Sequence, residues 1–264
     1  MKVVILCGGQ GTRMREETEY RPKPLAEIGG RPILWHIMKA YAHFGFTEFV
    51  LCLGYRGNMI KEYFLNYHAM NSDFTVSLGS HFGARVGGPT FESHSTHEEQ
   101  NYKVTLADTG LHTMTGGRIK KIKNYVKEDS FIVTYGDGVA DIDIRALIRF
   151  HEKHGKIATV TTVQPVSRFG VLDLNKDGEV VHFAEKPKLD GWVNAGFMVF
   201  NKKVFDCLQD DSVLEQEPLQ KLAKEGQLVA YRHDGFFYAM DTYREYQYLN
   251  DLWEKNQAPW KVWK

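Results

Sequence analysis

Residues 2–24 read K-V-V-I-L-C-G-G-Q-G-T-R-M-R-E-E-T-E-Y-R-P-K-P, and no other stretch restricts the fold of this chain as strongly. Residues 3–6 are β-branched or aliphatic without alternation, the pattern of a strand buried on both faces of a parallel sheet. Gly8, Gly9 and Gly11 follow at once. A loop of this kind admits positive φ, and without Cβ atoms it lets an anion approach bare backbone N–H groups. Thr12 and Arg13 place a hydroxyl and a permanent cation beside the loop, and Lys23 stands between Pro22 and Pro24, which restrict the backbone on either side of it. Arg13 and Lys23 are therefore expected to face phosphate. A dinucleotide-binding loop requires a later glycine where Met14 stands, and a Walker loop requires Gly-Lys-Ser/Thr where Thr12-Arg13 follows Gly11, so both common phosphate loops are excluded.

Strand and helix patterns alternate beyond the loop. A helix is expected over 33–44, a strand over 48–53, a helix over 58–67, strands over 74–78 and 104–107, and a helix opening at Thr115-Gly116-Gly117-Arg118 that turns Ile119, Ile122 and Val126 inward and Lys120, Lys121 and Lys123 outward. A strand over 131–135 ends at Gly136-Asp137-Gly138. This order implies βαβ units in a Rossmann-like, mixed but mainly parallel α/β sheet with helices on both faces, with ligands at the carboxyl ends of the strands. Past a helix capped by Asp143, where His151 and His154 are read as surface residues, the pattern shifts. A strand over 157–163, a hairpin over 170–174 and 180–184, a strand over 192–200, helices over 202–208 and 217–225, strand-like runs at 228–232 and 236–238, and a final helix over 243–255 suggest a smaller subdomain within one domain of 264 residues.

Lys plus Arg (33) equals Asp plus Glu (33), so no global field attracts nucleic acid or an anionic membrane, and an anion must be bound locally. No stretch of about 18 apolar residues occurs and the chain opens directly into a strand, which suits a cytoplasmic protein. Cys7, Cys52 and Cys207 are odd in number and far apart, as reduced thiols would be; Cys7 reads as a small residue closing a buried strand. The unpatterned stretch 79–103 holds His81, His94 and His97 without acidic or Cys ligands at tight spacing, and is expected to be a solvated or oligomer-contacting loop. With Trp253, Trp260 and Trp263 near the end, it suggests a homo-oligomer.

The run G-G-x-G-T-R followed by a polar loop and P-K-P resembles the signature of the sugar-phosphate nucleotidyltransferases, which join a nucleoside triphosphate to a sugar 1-phosphate. Gly136-Asp137-Gly138, Glu185-Lys186-Pro187 and Asn194-Ala195-Gly196-Phe197 resemble that family's metal, sugar-phosphate and sugar segments in the same order. The runs 29–38, 134–141, Met240-Asp241-Thr242 and Ala258-Pro259-Trp260-Lys261 are similar to its members that form CDP-glucose from CTP and glucose 1-phosphate. Cys7 and Met14 depart from the usual alanine and leucine without altering the chemistry.

The resemblance implies a nucleotide-binding half at 1–165 and a sugar-phosphate-binding half at 166–264. It implies nucleotide contacts from Leu6, Cys7, Gly8, Gly9, Gln10, Gly11, Thr12, Arg13, Lys23, Thr113, Arg118 and Gly136. Sugar-phosphate contacts would come from Tyr135, Glu185, Lys186, Asn194 and Gly196, and Mg²⁺ ligation from Asp137 and Asp241. A sugar phosphate is already an anionic nucleophile, so attack on the α-phosphorus needs no general base; it needs positioning and charge cancellation, with Arg13, Lys23 and Asp137 as the catalytic groups. Mg²⁺ keeps several waters, so two carboxylates suffice. Backbone carbonyls from Leu6 to Gly9 could accept from the cytosine amine. A dTTP- or UTP-using relative, and a catalytically silent nucleotide-sugar sensor, are the alternatives. Singly, Asp137 would also serve a Gly-Asp-Gly turn, Asp241 a helix cap, and Glu185-Lys186 a solvated hairpin end.

Overall fold

The structure is a computed structural model that describes residues 1–11, 14, 18–77, 90–94, 99, 101–167 and 169–263, with the backbone alone at 90, 91 and 93. Thr12 and Arg13, and His81 and His97 of the unpatterned stretch, lie outside the described residues.

Among the described residues one seven-stranded sheet organises the chain. Its strands are β1 (Val3–Cys7), β2 (Glu48–Leu53), β3 (Lys103–Asp108), β4 (Ser130–Tyr135), β6 (Ala158–Val163), β9 (Val193–Asn201) and β10 (Leu228–Arg232), in the order β10-β6-β9-β4-β1-β2-β3. β1 pairs in parallel with β2 and with β4, β2 with β3, and β6 with β10. β9 alone runs antiparallel, between β6 and β4. Short β5 (Gly138–Ala140) pairs with β11 (Phe237–Ala239) outside this sheet, and β7 (Val171–Leu174) pairs with β8 (Val180–Ala184) as the expected hairpin.

The unalternating sequence of β1 is explained by helices on both faces. Val3, Ile5 and Cys7 enter a core with α1 (Ile33–His43), α4 (Ile144–His154) and α6 (Tyr243–Glu254), whereas Val4 and Leu6 enter a second core with α3 (Thr115–Lys121) and α5 (Glu217–Lys224). A further helix, α2 (Gly57–Leu65), follows β2. β9 and β10 return to the same sheet after residue 165, so the two halves of the chain share one framework.

Several expectations need correction. Residues 79–103 contain a strand, Thr90–Ser93, paired with Phe74–Ser77 in a separate two-stranded ribbon. His151 is buried rather than on the surface: its Nδ1 and the Nε2 of His154 both meet Thr159 Oγ1, at 2.8 and 2.7 Å. Burial, then the neighbouring His154, pushes its pKa down to about 4, so the ring is neutral. The late tryptophans pack into their own chain. Trp260 is fully buried and Trp253 lies 4.6 Å from the ring of His36, which accepts from Trp260 Nε1 at 3.4 Å and pairs through Nε2 with the Ile28 carbonyl at 2.8 Å. They close the core and give no ground for an interface.

Candidate active site

The carboxyl ends of β1 and β4 and the start of α3 enclose a cavity of ≈ 350 Å³ lined by Leu6, Cys7, Gly8, Gly9, Gly11, Lys23, Pro24, Thr113, Met114, Thr115, Arg118, Tyr135, Gly136, Asp137 and Asp241. Every expected nucleotide residue within the described chain lines it except Gln10, which is exposed on the loop. Gly11 has φ +63° and a Cβ there would stand 2.7 Å from Thr18, so the loop's path demands glycine at that point.

Lys23 stands between Pro22, the N-cap of a short helix, and Pro24 within it. Residues Lys23–Leu25 form one 3₁₀ turn, with Leu25 N–H donating to Pro22 O at 2.8 Å. Its ammonium reaches Asp137 Oδ2 at 2.6 Å and Asp241 Oδ1 at 2.8 Å, with the lysine side chain only 10% exposed. Burial alone would lower the Lys23 pKa, but Asp137 and Asp241 outweigh it and hold the amine above its usual range. Asp137 sits in the turn from β4 to β5, and Met240 N–H donates to its backbone carbonyl at 2.8 Å, which brings Asp241 alongside. Thr242 and Glu245 form a capping box at the start of α6, and the Glu245 carboxylate accepts from Asp241 N–H at 2.8 Å. The two aspartates thus come from distant segments to one point, each fixed by its own backbone.

That arrangement bears on the implied Mg²⁺. The donors are carboxylate oxygens, the chemistry Mg²⁺ prefers, and a cation already sits between them, so the pair suits a cation that keeps most of its waters. Among the described residues no group of three or more acidic, His or Cys side chains converges anywhere.

Arg118 differs from the picture of a cation aimed at ligand. It is buried, and its guanidinium donates to Leu53 O, Thr109 Oγ1 and Gly110 O at 3.0, 2.7 and 2.8 Å, and to Gly8 O and Leu111 O at 3.1 and 3.2 Å. Glycines 8 and 54 exist to admit it, since a Cβ on either would meet its guanidinium at 2.2 or 2.5 Å. The Gly8 carbonyl also accepts from Tyr55 N–H at 3.2 Å, and Leu6 O from Gly136 N–H at 3.1 Å. Carbonyls expected to read a base are thus already used by the protein. Thr113 Oγ1 donates to Thr109 O at 2.6 Å and accepts from Lys121 Nζ at 3.0 Å. Cys7 is buried, and burial raises its thiol pKa well above the ordinary value, which favours the neutral thiol over a thiolate nucleophile; Cys7, Cys52 and Cys207 are all free.

On the sugar side, Gly196 has φ +79° and packs under the ring of Tyr135, where a Cβ would come within 2.2 Å. Asn194 Oδ1 accepts from Gly196 N–H at 2.8 Å. A larger cavity of ≈ 630 Å³ adjoins, lined by Lys186, Lys188, His233, Arg244 and Asp241 among others, so Asp241 belongs to both spaces. Glu185 and Lys186 are exposed and pair with each other at 3.5 Å.

Two residues escaped the sequence reading. Glu215 takes a hydrogen bond from Tyr135 OH and one from Thr115 Oγ1, the latter at 2.7 Å, and so ties the two walls together; nothing in the run D-D-S-V-L-E singles it out. Arg244 occupies the second residue of α6, where a positive charge opposes the helix dipole, and that mismatch was a usable signal.

The sequence pattern of the family described as Nucleotidyl transferase matches residues 2–243. The chain is 51% identical over 266 residues to the glucose-1-phosphate cytidylyltransferase of Salmonella typhimurium, with all of both chains covered.

The chain belongs to the nucleotidyl transferase family.

It is also 46% identical to the probable glucose-1-phosphate cytidylyltransferase of Bacillus subtilis, again over the full length of both. Among solved structures, a putative glucose-1-phosphate thymidylyltransferase of Bacillus anthracis superposes with a TM-score of 0.69 at 18% identity, covering 100% of this chain and 98% of that one. HddC from Yersinia pseudotuberculosis does so at 0.67 and 23% identity, covering 96% and 99%. These two are similar in fold. Within the family fold the glycine loop and Asp137 occupy the carboxyl ends of β1 and β4, as the alternating sequence implied.

Proposed function

We propose that this nucleotidyl transferase moves a cytidylyl group from CTP to α-D-glucose 1-phosphate, giving CDP-glucose and pyrophosphate. The observation that carries the reading is the junction at Asp241, where the glycine-lined cavity meets the larger one holding Lys186, in a chain similar throughout to cytidylyltransferases. Two polyanions can be held on either side of that junction with their phosphates adjoining.

In the reaction, an oxygen of the sugar phosphate forms a bond to the α-phosphorus of CTP as the bond to pyrophosphate breaks, in line. Lys23 neutralises charge at the junction, and Arg13 is assigned to the triphosphate. Lys186 and Arg244, which line the larger cavity, hold the sugar phosphate. Tyr135 lines the glycine-loop cavity and packs over Gly196, and we assign these two, with Asn194 and Glu185, to the sugar. Asp137 and Asp241 would hold Mg²⁺, which when bound supplies Lewis-acid screening of the α-phosphate. The glycine loop offers backbone N–H groups to phosphate, while Thr113 and the wall that Arg118 braces flank the base.

We assign the nucleotide contacts mainly to residues 1–165 and the sugar contacts mainly to 166–264, with β9 and β10 joining the halves. A cytoplasmic homo-oligomer is part of the proposal. No helix among the described residues is long and apolar enough to cross a membrane. The β7–β8 hairpin and its neighbours leave Phe169 78%, Val181 64% and Phe183 57% exposed, a patch suited to burial against another copy. Light scattering that gives a monomer at micromolar concentration overturns that part.

The test of the activity is kcat/KM with glucose 1-phosphate for CTP, UTP and dTTP. An acceptor facing the wrong carbonyl costs roughly 1–3 kcal/mol, so CTP should lead by about tenfold to a hundredfold. Parity of CTP and dTTP would sink the cytidylyl reading.

A further inference from the structure

Lys23 Nζ lies 2.6 Å from one aspartate and 2.8 Å from the other, at the point both carboxylates face. An ammonium and a metal cannot share that point, because Mg²⁺–oxygen bonds of about 2.0–2.1 Å draw the same two carboxylates onto the ion. The lysine backbone is fixed by its prolines and its 3₁₀ turn, and among the described residues its ammonium is held by the two carboxylates alone. Its stem passes beside the glycine loop: the Cβ that Gly11 lacks would stand 3.5 Å from Lys23 Cβ. Rotation of the side chain alone can therefore carry the ammonium from the carboxylates to a phosphate on that loop.

Charge favours such an exchange. In the free protein Lys23 bridges the two carboxylates. With a triphosphate in the cavity the lysine gains a new anionic partner, and its departure frees the carboxylate oxygens it holds for another cation. We propose that Lys23 is the resident cation of the metal position, and that the triphosphate draws it away, so that a divalent ion is bound firmly only together with nucleotide. This rests on the reading of Asp137 and Asp241 as the metal pair. It gives Lys23 a second role besides charge cancellation: it keeps the two carboxylates converged yet prevents a metal from settling there before the nucleotide arrives.

The experiment is titration of the whole protein with Mn²⁺, followed by electron paramagnetic resonance, in the absence of nucleotide. Wild type is expected to bind weakly, and Lys23→Met to bind roughly tenfold or more tightly, because the competing state is removed. Adding Asp137→Asn to Lys23→Met should abolish the gain. Equal Mn²⁺ affinity in wild type and Lys23→Met overturns the exchange while leaving the metal pair intact. A gain in Lys23→Met that Asp137→Asn does not touch removes the metal pair and the exchange with it. Lysine-selective ¹⁵N NMR of wild type needs no variant. Metal-free CTP should shift the Lys23 amine signal, and an unmoved signal on saturation with CTP overturns the proposal.

Discussion

On the nucleotide wall, Arg118 spends its guanidinium on five protein oxygens and is nearly inaccessible, whereas on the sugar-phosphate rim Lys186 meets only its exposed neighbour Glu185, and Arg244 has no side-chain partner among the described residues. The same residue class does opposite work in the two places. A buried guanidinium with every acceptor in reach is scaffolding: it fixes loops 8–9 and 109–111 at the price of being unavailable to ligand. Exposed cations lining an open cavity are loosely committed, since the surface pair there, Lys186 with Glu185, is worth under about 1 kcal/mol. The loop side is therefore held by the protein's own bonds, and on the proposed function the rim cations take the sugar phosphate as their partner.

The two regions meet at Asp241, which Lys23 bridges to Asp137, and the largest effect is expected there. Asp137→Asn or Asp241→Asn should lower turnover about a hundredfold, equivalent to roughly 3 kcal/mol of lost transition-state stabilisation, with far-ultraviolet circular dichroism unchanged. Near-normal Mg²⁺-dependent turnover in both variants would mean that the junction is only a structural knot.

The comparison itself is broken or kept by a pair of substitutions. Arg118→Ala leaves buried carbonyls without donors and should cost about 2–3 kcal/mol of stability, read as a lower denaturation midpoint. Lys186→Ala should leave that midpoint within error and raise KM for glucose 1-phosphate about tenfold, as expected for one charge-assisted hydrogen bond. If Arg118→Ala kept its stability and lost only CTP affinity, Arg118 would be a ligand-facing cation and the contrast between the walls would fail.

These differences were only partly legible in the sequence. β1, the glycine loop and Lys23 between its prolines could be read because each is a local pattern with a local physical cause, whereas Asp137 and Asp241 were singled out by the family resemblance, since locally each would equally serve a turn or a helix cap. The antiparallel insertion of β9 could not, because a strand buried on both faces looks the same whichever way it runs. The anchoring of Arg118 was hidden for a similar reason: its acceptors Leu53 and Gly8 lie 65 and 110 residues away. His151 is a different case. Ile144, Leu147, Ile148 and His151 follow the i, i+3, i+4, i+7 spacing of one buried helix face, so its burial was written in the sequence and outweighed by the habit of placing histidine outside.

Buried neutral histidines give the scaffold a pH dependence. His36, fully buried among tryptophans, has its pKa pushed down to about 4 from 6.5, chiefly by burial. The unfolded chain then binds a proton that the folded one refuses between those values. Stability is full above about pH 6.5, falls as pH drops through that window, and levels off below about 4. At pH 5 His36 alone accounts for roughly 2 kcal/mol, so urea midpoints at pH 7 and 5 should differ clearly, and His36→Gln should narrow the gap. A gap unchanged by that substitution would put the pH dependence elsewhere, with His151 the next site to test.

The smallest expected effect concerns Lys121, which the helix pattern assigns to a solvated face. The side chain is exposed, but its ammonium donates to Thr109 O at 2.9 Å and Thr113 Oγ1 at 3.0 Å, so it braces from outside the same 109–113 loop that Arg118 braces from within. An exposed brace of this kind contributes less than about 1 kcal/mol, because water competes for both bonds. Arg118 already holds the loop's inner carbonyls, so Lys121→Ala should not unfold it. What it removes is the donor that orients the Thr113 hydroxyl at the cavity wall. The expected result is a rise in KM for CTP of a few-fold at most, with KM for glucose 1-phosphate and the denaturation midpoint unchanged. Lys224→Ala, on the exposed end of α5, is the reference that should move none of the three. A Lys121→Ala defect as severe as that of Lys23→Ala would show that the loop depends on its outer brace, and the nucleotide wall would then be less preorganised than its buried bonds suggest.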